Sequence, residues 1–187
     1  MPAKDKKQSA SGLEYKVPSK GPEAAPITIT WYSDLASPLA PQAALLVRQI
    51  TDAYPEKTRV LFKNLPMDFH PQSFLAHQAA LAAGAQGKFW EMHDLILANQ
   101  RALTRDDLIS YAKRLGLNTT KFTSSLEADD YRKIIENDLS EARGRGVFGS
   151  PAFFVNGRRL DGLQTPAIFK AVIQAELDQT TAVRAGQ

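Results

Sequence analysis

The sequence predicts an α/β domain in which two groups of strands flank a long helical segment. Alternating Ile and Thr over residues 27–32 and an apolar run over 58–63 are typical of strands, and a helical apolar stripe separates them. A second strand pair is expected at 149–155 and 158–162, followed by one more helix. With 187 residues and 43% hydrophobic residues, the chain is long enough for one domain with a substantial core.

The turn between the first strand and the first helix, Trp31 to Ala40, is the stretch of greatest functional interest. The helix is predicted over 41–54 from its apolar spacing, and Pro38 lies in its start region, where a missing N–H costs little. Unpaired N–H groups and the positive end of the helix dipole stabilise an anionic nucleophile at such a place. This sequence offers only a serine there, Ser37.

The segment from Pro66 to Gly144 shows only helical patterns. Five helices are predicted, over 73–83, 88–99, 104–115, 119–128 and 130–143. Thr104, followed by acidic residues, predicts a helix N-cap. After this segment, Asn156 and Gly157 predict a tight hairpin, and Thr165 with Pro166 starts a last helix that is expected to end near Asp178.

These elements predict a domain organisation with an insertion. Residues 26–65 and 146–180 are expected to form one domain around a four-stranded sheet, and residues 66–145 a helical insertion. Residues 1–25 are rich in Lys, Ser, Pro and Gly and are predicted to be a flexible arm, with a short edge strand at 13–17. Residues 181–187 are predicted to be a frayed tail.

Composition excludes several classes of function. The chain has no cysteine, which excludes disulfides, thiolate catalysis, Cys-ligated zinc and iron–sulfur clusters. Its 23 basic and 20 acidic residues are mixed along the chain, so nucleic-acid binding is not expected. The three histidines, His70, His77 and His93, lack a metal-ligand spacing, and no metal site is predicted. No apolar run is long enough to predict a membrane span, and the N-terminus lacks the apolar core of an intact signal peptide.

Two motifs, far apart in the chain, carry a resemblance to a known family. The first is the strand followed by Ser33, Asp34 and Pro38, and the second is the G-V-F-G-S-P-A-F-F-V-N-G stretch over 146–157. In this order and with a helical segment between them, they resemble the DsbA-like thiol–disulfide oxidoreductases of the thioredoxin superfamily. The resemblance covers about residues 22–178. It implies a thioredoxin fold with an inserted helical domain, a periplasmic location, and a cis proline at Pro151 that faces the turn.

The resemblance also implies where a site would lie. The family's C-x-x-C motif falls on Ser37, Pro38, Leu39 and Ala40, so both cysteine positions are occupied by other residues. Serine and alanine cannot exchange disulfides, because oxygen and a methyl group form no S–S bond. Ligand or peptide contacts are predicted at Ser37, Leu39, Ser150 and Pro151. From the residues alone, Ser37 is expected to N-cap the first helix.

Three interpretations of the function follow from the resemblance. The first is a non-catalytic module that binds extended polypeptide or a partner protein, or has a structural role, and needs no cofactor. The second is a glutathione-dependent enzyme, because kappa-class glutathione transferases and 2-hydroxychromene-2-carboxylate isomerases carry a similar Ser-Pro. In that case Ser37 orients the thiol, and Arg143, Arg145 or Arg158 binds the carboxylates. The third is an oxidoreductase whose cysteines have been replaced.

Overall fold

The structure, a computed structural model, describes residues 6–8 and 14–185. Within these ranges the strands are β1 (Lys6–Gln8), β2 (Glu14–Lys16), β3 (Ser19–Lys20), β4 (Ile27–Ser33), β5 (Thr58–Asn64), β6 (Ala152–Val155) and β7 (Arg158–Asp161). The helices are α1 (Ala40–Ala53), α2 (Ser73–Gly84), α3 (Phe89–Ala98), α4 (Arg105–Arg114), α5 (Thr119–Glu127), α6 (Arg132–Gly144) and α7 (Pro166–Ala185).

The central sheet is mixed and has the strand order β3-β5-β4-β6-β7. Strand β4 runs parallel to β5 and antiparallel to β6, and Trp31 lies opposite Phe62 on one side and Phe153 on the other. Five strands replace the predicted four, because Ser19 and Lys20 pair with β5 as an additional edge. A strand of two residues is too short to show a periodic pattern in the sequence.

Three short stretches of the predicted flexible arm form strands, β1, β2 and β3. The expected edge strand at 13–17 is present as β2, but it pairs with β1 in a separate two-stranded sheet rather than with the central sheet. Val17 is buried. The parts of the prediction that concern residues 1–5 and 9–13, including Leu13, lie outside the described residues.

One core joins the sheet to the helical insertion. The ring of Trp31 in β4 packs edge-on against Phe62 and is stacked with Phe153, and Phe153 packs edge-on against Phe169 of α7. A second apolar cluster includes Tyr32, which points away from this core. Helices α2 to α6 all lie between β5 and β6 in the chain, as the sequence predicts. In the part of the chain that is described, no helix is both long and apolar enough to span a bilayer.

Local signals define most of the element ends. The Asn156–Gly157 hairpin has positive φ at both residues, as a tight hairpin turn requires. Thr104 caps α4 in a reciprocal capping box with Asp107. The last helix differs from the prediction. It continues to Ala185 instead of ending near Asp178, so much of the expected frayed tail is helical.

Candidate functional site

The turn that joins β4 to α1 is organised around the buried carboxylate of Asp34. Its Oδ1 accepts hydrogen bonds from the Ala36 backbone N–H at 2.9 Å and from the Ser73 hydroxyl. Its Oδ2 accepts from the Met67 backbone N–H at 3.2 Å and from His70 Nδ1 at 2.6 Å. All four donors approach a side chain with no exposed surface. This carboxylate therefore ties the turn to the loop between β5 and α2 and to the start of α2.

The helical insertion fixes the main chain of the turn. The Gln100 side-chain amide donates to the Leu35 carbonyl at 2.9 Å and to the Ser37 carbonyl at 2.7 Å. The Leu35 N–H donates to His77 Nε2 at 3.2 Å. Three polar groups of the turn are thus paired with side chains that lie 42 or more residues away in the sequence.

His77 is held in one tautomer by its two partners. Since Nε2 accepts from Leu35, the proton is on Nδ1, which donates to Asn64 Oδ1 at 2.9 Å. Burial lowers the pKa of His77 to about 3, against the opposing effect of the Asp34 charge. The imidazole is therefore neutral near pH 7 and serves as a fixed link between the turn and β5.

A buried chain of polar side chains continues from Asn64 to helix α6. The Asn64 amide donates to Asp138 Oδ2 at 2.7 Å, and Lys63 Nζ donates to Asp138 Oδ1 at 3.0 Å and Glu141 Oε2 at 2.9 Å. The Tyr32 hydroxyl donates to Glu141 Oε1 at 2.7 Å. Burial and this carboxylate acceptor raise the pKa of Tyr32. The Lys63 ammonium is paired with the Asp138 and Glu141 carboxylates, and this pairing lowers the cost of burying charge.

The four positions that align with the family's C-x-x-C motif lie where α1 begins. Ser37 is 5% exposed and Ala40 is 1% exposed, whereas Pro38 and Leu39 are exposed. The expectation that Ser37 is the N-cap is wrong. The N-cap is Leu39, which has no side-chain cap, because the turn continues two residues beyond the serine. Ser37 Oγ instead accepts from the Leu39 N–H at 3.2 Å.

The second motif lies directly beside this turn. The Asp34 N–H donates to Ser150 Oγ at 2.8 Å, so the two motifs are in contact although 116 residues separate them. The Ser150–Pro151 peptide bond is cis, and Pro151 is buried. The Pro151 carbonyl accepts from the Gly162 N–H at 2.9 Å, which fixes the entry into β6.

An open groove adjoins the two motifs. Its apolar lining includes Leu65, Pro66, Met67, Leu139, Val147 and Phe148, and its charged residues are Asp68 and Arg143. Phe148 is 74% exposed and Phe69 is 71% exposed. The Phe69 ring packs edge-on against His70, which connects it to the Asp34 carboxylate. Apolar surface therefore surrounds the turn on more than one side.

Only one of the three arginines considered for carboxylate binding lines the groove. Arg143 does so. Arg158 pairs with Val155, three residues along β6 from Ala152, which puts it about 10 Å from the Pro151 end of the strand. It forms an ion pair with Glu176 at 3.3 Å. The Arg145 guanidinium lies 4.6 Å from the centre of the Phe154 ring.

Within residues 14–185, Ser37 is not paired with a general base. The Ser37 hydroxyl accepts from a backbone amide, and no described histidine or carboxylate contacts it as a base. The two motifs singled out in the sequence are in contact through Asp34 and Ser150, but the contributions of Ser73 and Gln100 were not predicted. No spacing rule points to these two, because they act across the fold rather than along one element.

Comparisons with known proteins agree with this architecture. The family model of the DSBA-like thioredoxin domain matches residues 28–174. Among solved structures, BdbD from Bacillus subtilis is similar with a TM-score of 0.77 and 19% identity, covering 87% of this chain and 93% of that chain. A thioredoxin-like oxidoreductase from Silicibacter pomeroyi has a TM-score of 0.76 and 23% identity, covering 89% and 92%. At these identities the likeness concerns the fold.

The curated relatives are much longer proteins, and only a part of each one is similar to this chain. A Na(+)/H(+) antiporter, NhaA 3 of Salinispora tropica, is 40% identical over 158 residues, which are 83% of this chain and 24% of the antiporter. The antiporter NhaA of Herminiimonas arsenicoxydans is 33% identical over 83% of this chain and 25% of its own length. The chain thus spans about a quarter of the length of the curated relatives it matches.

Proposed function

Because the chain belongs to the DSBA-like thioredoxin domain family, we propose that it is a non-catalytic member that binds extended polypeptide or a partner protein at the turn. One observation carries the proposal. The turn is held by side chains of Asp34, His77 and Gln100, yet the two positions that would exchange disulfides are Ser37 and Ala40. Fold alone does not establish an activity, so the argument rests on the site.

The surface around the turn supports polypeptide binding. Leu39, Phe69 and Phe148 expose 40%, 71% and 74% of their surface. Exposed apolar side chains that cluster beside a groove are typical of interaction sites. An extended peptide can pair its main chain with an exposed protein backbone segment, while neighbouring pockets receive its side chains. The segment at Ser150 and the apolar groove next to it would provide these two elements.

The curated relatives favour the partner-protein form of the proposal. In the antiporters, the region similar to this chain is a minor part of a protein that is named for ion exchange. A domain of this type therefore occurs joined to sequence with another named activity. The proposal includes the extracytoplasmic location that the DsbA-like resemblance implies, and fractionation of cells that produce the natural protein would test that part.

Binding of an unfolded polypeptide tests the proposal directly. The probe is reduced and carboxymethylated α-lactalbumin, followed by NMR chemical shifts of this chain. We expect saturable shifts near Leu39, Phe148 and Pro151. Leu39→Ser and Phe148→Ser should each weaken binding about tenfold, which corresponds to about 1.4 kcal/mol. Leu45→Ser is the matched control, since Leu45 is 55% exposed on α1 and lies six residues beyond Leu39, about 9 Å further along the helix axis from the turn. Equal losses in all three variants, or no shifts, would refute the proposal.

Thiol chemistry provides a second test. The protein should neither oxidise a reduced substrate protein nor catalyse insulin reduction, and turnover above buffer would show that it is an enzyme after all. The double variant Ser37→Cys, Ala40→Cys should gain activity, because a helix N-terminus lowers the pKa of a thiol. A gain would show that the scaffold is intact and that only the sulfur atoms are absent.

Glutathione binding is the alternative that the site still permits. The Ser37 hydroxyl accepts one hydrogen bond and retains its own proton to donate to a thiolate. Against this alternative, Arg143 is the only one of the three expected cations that lines the groove. Isothermal titration decides between the two. Saturable binding of glutathione tighter than about 1 mM, or about −4.1 kcal/mol, would favour the glutathione-dependent enzyme.

A further inference from the structure

Two opposite charges line the groove beside the turn, one in each of the two segments that form it. Asp68 lies in the loop that joins β5 to α2, and Arg143 lies in the last turn of α6. Both residues are exposed. Among the described residues, neither side chain has an ion pair or a hydrogen bond, with the other or with a further residue. The groove therefore contains a carboxylate and a guanidinium that are both available to a bound molecule.

Arg143 differs in this respect from its neighbours. The other three arginines near the second motif each form an ion pair with a carboxylate: Arg145 with Glu141, Arg158 with Glu176 and Arg159 with Asp161. Side chains three or four positions apart on a helix are neighbours, and for Arg143 these are Ser140 and Leu139. Since neither is a carboxylate, α6 itself offers Arg143 no partner.

The main chain that carries each charge is fixed by hydrogen bonds. The Met67 N–H, one residue before Asp68, donates to the buried Asp34 carboxylate at 3.2 Å. The Arg143 carbonyl accepts from the Gly146 N–H at 2.9 Å. A ligand that pairs with both charges therefore orders two side chains and no further backbone, which keeps the entropic cost of binding low.

The size and lining of the groove indicate what lies between the two charges. Its volume is about 190 Å³, below the range of about 300–1,000 Å³ that is usual for sites that enclose a small molecule. It therefore suits part of a longer chain. The rest of its lining is apolar: Leu65, Pro66, Met67, Leu139, Val147 and Phe148. In an extended polypeptide, alternate side chains lie on one face, so an apolar residue and the charged residues on either side of it can contact the same groove.

We propose that the groove prefers extended polypeptide in which one acidic and one basic residue flank an apolar residue at alternate positions. The acidic side chain pairs with Arg143, the basic one pairs with Asp68, and the apolar one contacts the groove lining. This inference rests on the proposed function, because it concerns the sequence of the polypeptide that binds there. An exposed ion pair changes affinity only about two- to fivefold, so charge selects among polypeptides that the apolar surface already binds.

Four blocked heptapeptides with the same apolar residues test this preference in NMR titrations of the full chain. Ac-AELFLKA-amide carries one charge of each sign, Ac-AQLFLQA-amide is neutral, Ac-AELFLEA-amide is doubly acidic and Ac-AKLFLKA-amide is doubly basic. We expect the mixed peptide to bind about fivefold more tightly than the neutral one, and the two like-charged peptides to gain nothing, because one attraction is offset by one repulsion. The preference should disappear at about 1 M salt, where the Debye length is about 3 Å.

Reversal of either charge should change which peptide is preferred. Arg143→Glu leaves two negative groups in the groove, so this variant should bind the doubly basic peptide about fivefold more tightly than the mixed one. Asp68→Lys leaves two positive groups and should prefer the doubly acidic peptide by a similar factor. The neutral peptide should bind the unchanged protein and both variants equally, and the dispersion of each spectrum reports whether the variant folds.

Two matched controls carry the same charge reversals away from the groove. Lys133→Glu changes an exposed residue of α6 ten positions before Arg143, about 15 Å along the helix axis. Glu56→Lys changes an exposed residue just before β5, at the opposite end of that strand from Asp68. Both should keep the preference for the mixed peptide.

The inference is overturned if the mixed peptide binds no more tightly than the neutral one, or if the two groove variants behave like their controls. Binding of the neutral peptide in the groove without any charge preference would overturn this inference and leave the proposed function in place. Failure of all four peptides to bind would overturn both.

Discussion

His77 and His93 are both buried histidines of the helical insertion, but their surroundings differ. His77 has a partner at each ring nitrogen, the Leu35 N–H and the Asn64 side-chain carbonyl. His93 has a partner only at Nδ1, the Asp94 carboxylate, and its other nitrogen, Nε2, is buried without a partner. A fully paired histidine links the segments that it bonds, whereas an unpaired buried nitrogen contributes no such link.

The same contrast separates the two regions to which these histidines belong. Around the turn, the polar groups of Asp34, Leu35 and Ser37 are paired with distant side chains, so the turn keeps its shape without any ligand. Around His93, two buried nitrogens, Trp31 Nε1 and His93 Nε2, have no hydrogen-bond partner. A preformed surface suits polypeptides of variable sequence, because affinity then depends on few ordered groups.

The largest expected effect is that of Asp34→Ala. This change leaves the donors from Ala36, Met67, Ser73 and His70 without their shared acceptor in a buried place. We expect the free energy of unfolding to fall by about 3–5 kcal/mol, the usual cost of removing one partner from a buried charged cluster. Urea denaturation measures it.

Asp106→Ala is the control for this prediction. Asp106 is exposed in the first turn of α4, where its interaction with the helix dipole contributes about 0.3–1 kcal/mol. If the two variants were equally stable, the hydrogen bonds around Asp34 would not be what holds the turn.

The next largest effect is a difference in the free energy of unfolding between variants of the two histidines. His77→Leu leaves the Leu35 N–H and the Asn64 carbonyl unpaired, so we expect a loss of about 2–4 kcal/mol. His93→Phe removes the unpaired Nε2 and the bond from Nδ1 to Asp94, whose half-exposed carboxylate can bind water instead. An aromatic ring remains among Trp31, Phe62 and Trp90, so the loss should be smaller, about 0.5–1.5 kcal/mol. Thermal denaturation of both variants checks the difference. Similar losses would remove the distinction between the paired and the unpaired site.

The pH dependence of stability should show both histidines acting in the same direction. Burial lowers the pKa of His77 to about 3 and also lowers that of His93, so the unfolded chain binds protons near pH 6.5 that the folded chain does not. Stability is therefore greatest above the unfolded pKa and falls as the pH drops from about 6.5 towards 3. One such histidine contributes a slope of at most about 1.4 kcal/mol per pH unit.

His93→Phe sharpens this prediction, because it removes one of the two groups and should leave the protein folded. The slope between about pH 6 and pH 5, above the range in which most carboxylates titrate, should fall by up to half. Urea denaturation at several pH values measures the slope in both proteins. A slope unchanged in the variant would mean that His93 is protonated in the folded state.

The sequence was sufficient for the fold because its signals are local. Alternating residues in β4, the Asn156–Gly157 turn and the Thr104 cap each depend on neighbours within a few positions, and each is confirmed. The two-residue strand β3 was missed because its pairing with β5, rather than its own pattern, defines it. The prediction that Ser37 caps α1 was wrong because the length of the turn depends on contacts with Gln100 and Asp34.

The buried chain of polar side chains could not be predicted from the sequence, because its members pair across the fold. Lys63 lies near the end of an apolar strand, where the sequence alone suggests an exposed charge. Its partners Asp138 and Glu141 lie 75 and 78 residues away in the sequence. Trp31 and His93 each have the sequence context of a core residue. Only the packed structure shows that one nitrogen of each is buried without a partner.

The smallest expected effect is that of Ser37→Ala, and it tests how far the turn depends on any single bond. The Ser37 hydroxyl accepts only from the Leu39 N–H, and the Ser37 carbonyl still binds Gln100 and the Ala40 N–H after the change. We expect a loss of about 0.5–1.5 kcal/mol, the net worth of one neutral hydrogen bond, and less than a twofold change in polypeptide binding. Denaturation and titration with the unfolded polypeptide measure the two quantities. If the serine instead contacts a bound thiol, stability will change as little, but binding of glutathione to the unchanged protein and its weakening in the variant will contradict the peptide-binding assignment. The same variant thus separates a serine that only shapes the turn from one that contacts a ligand.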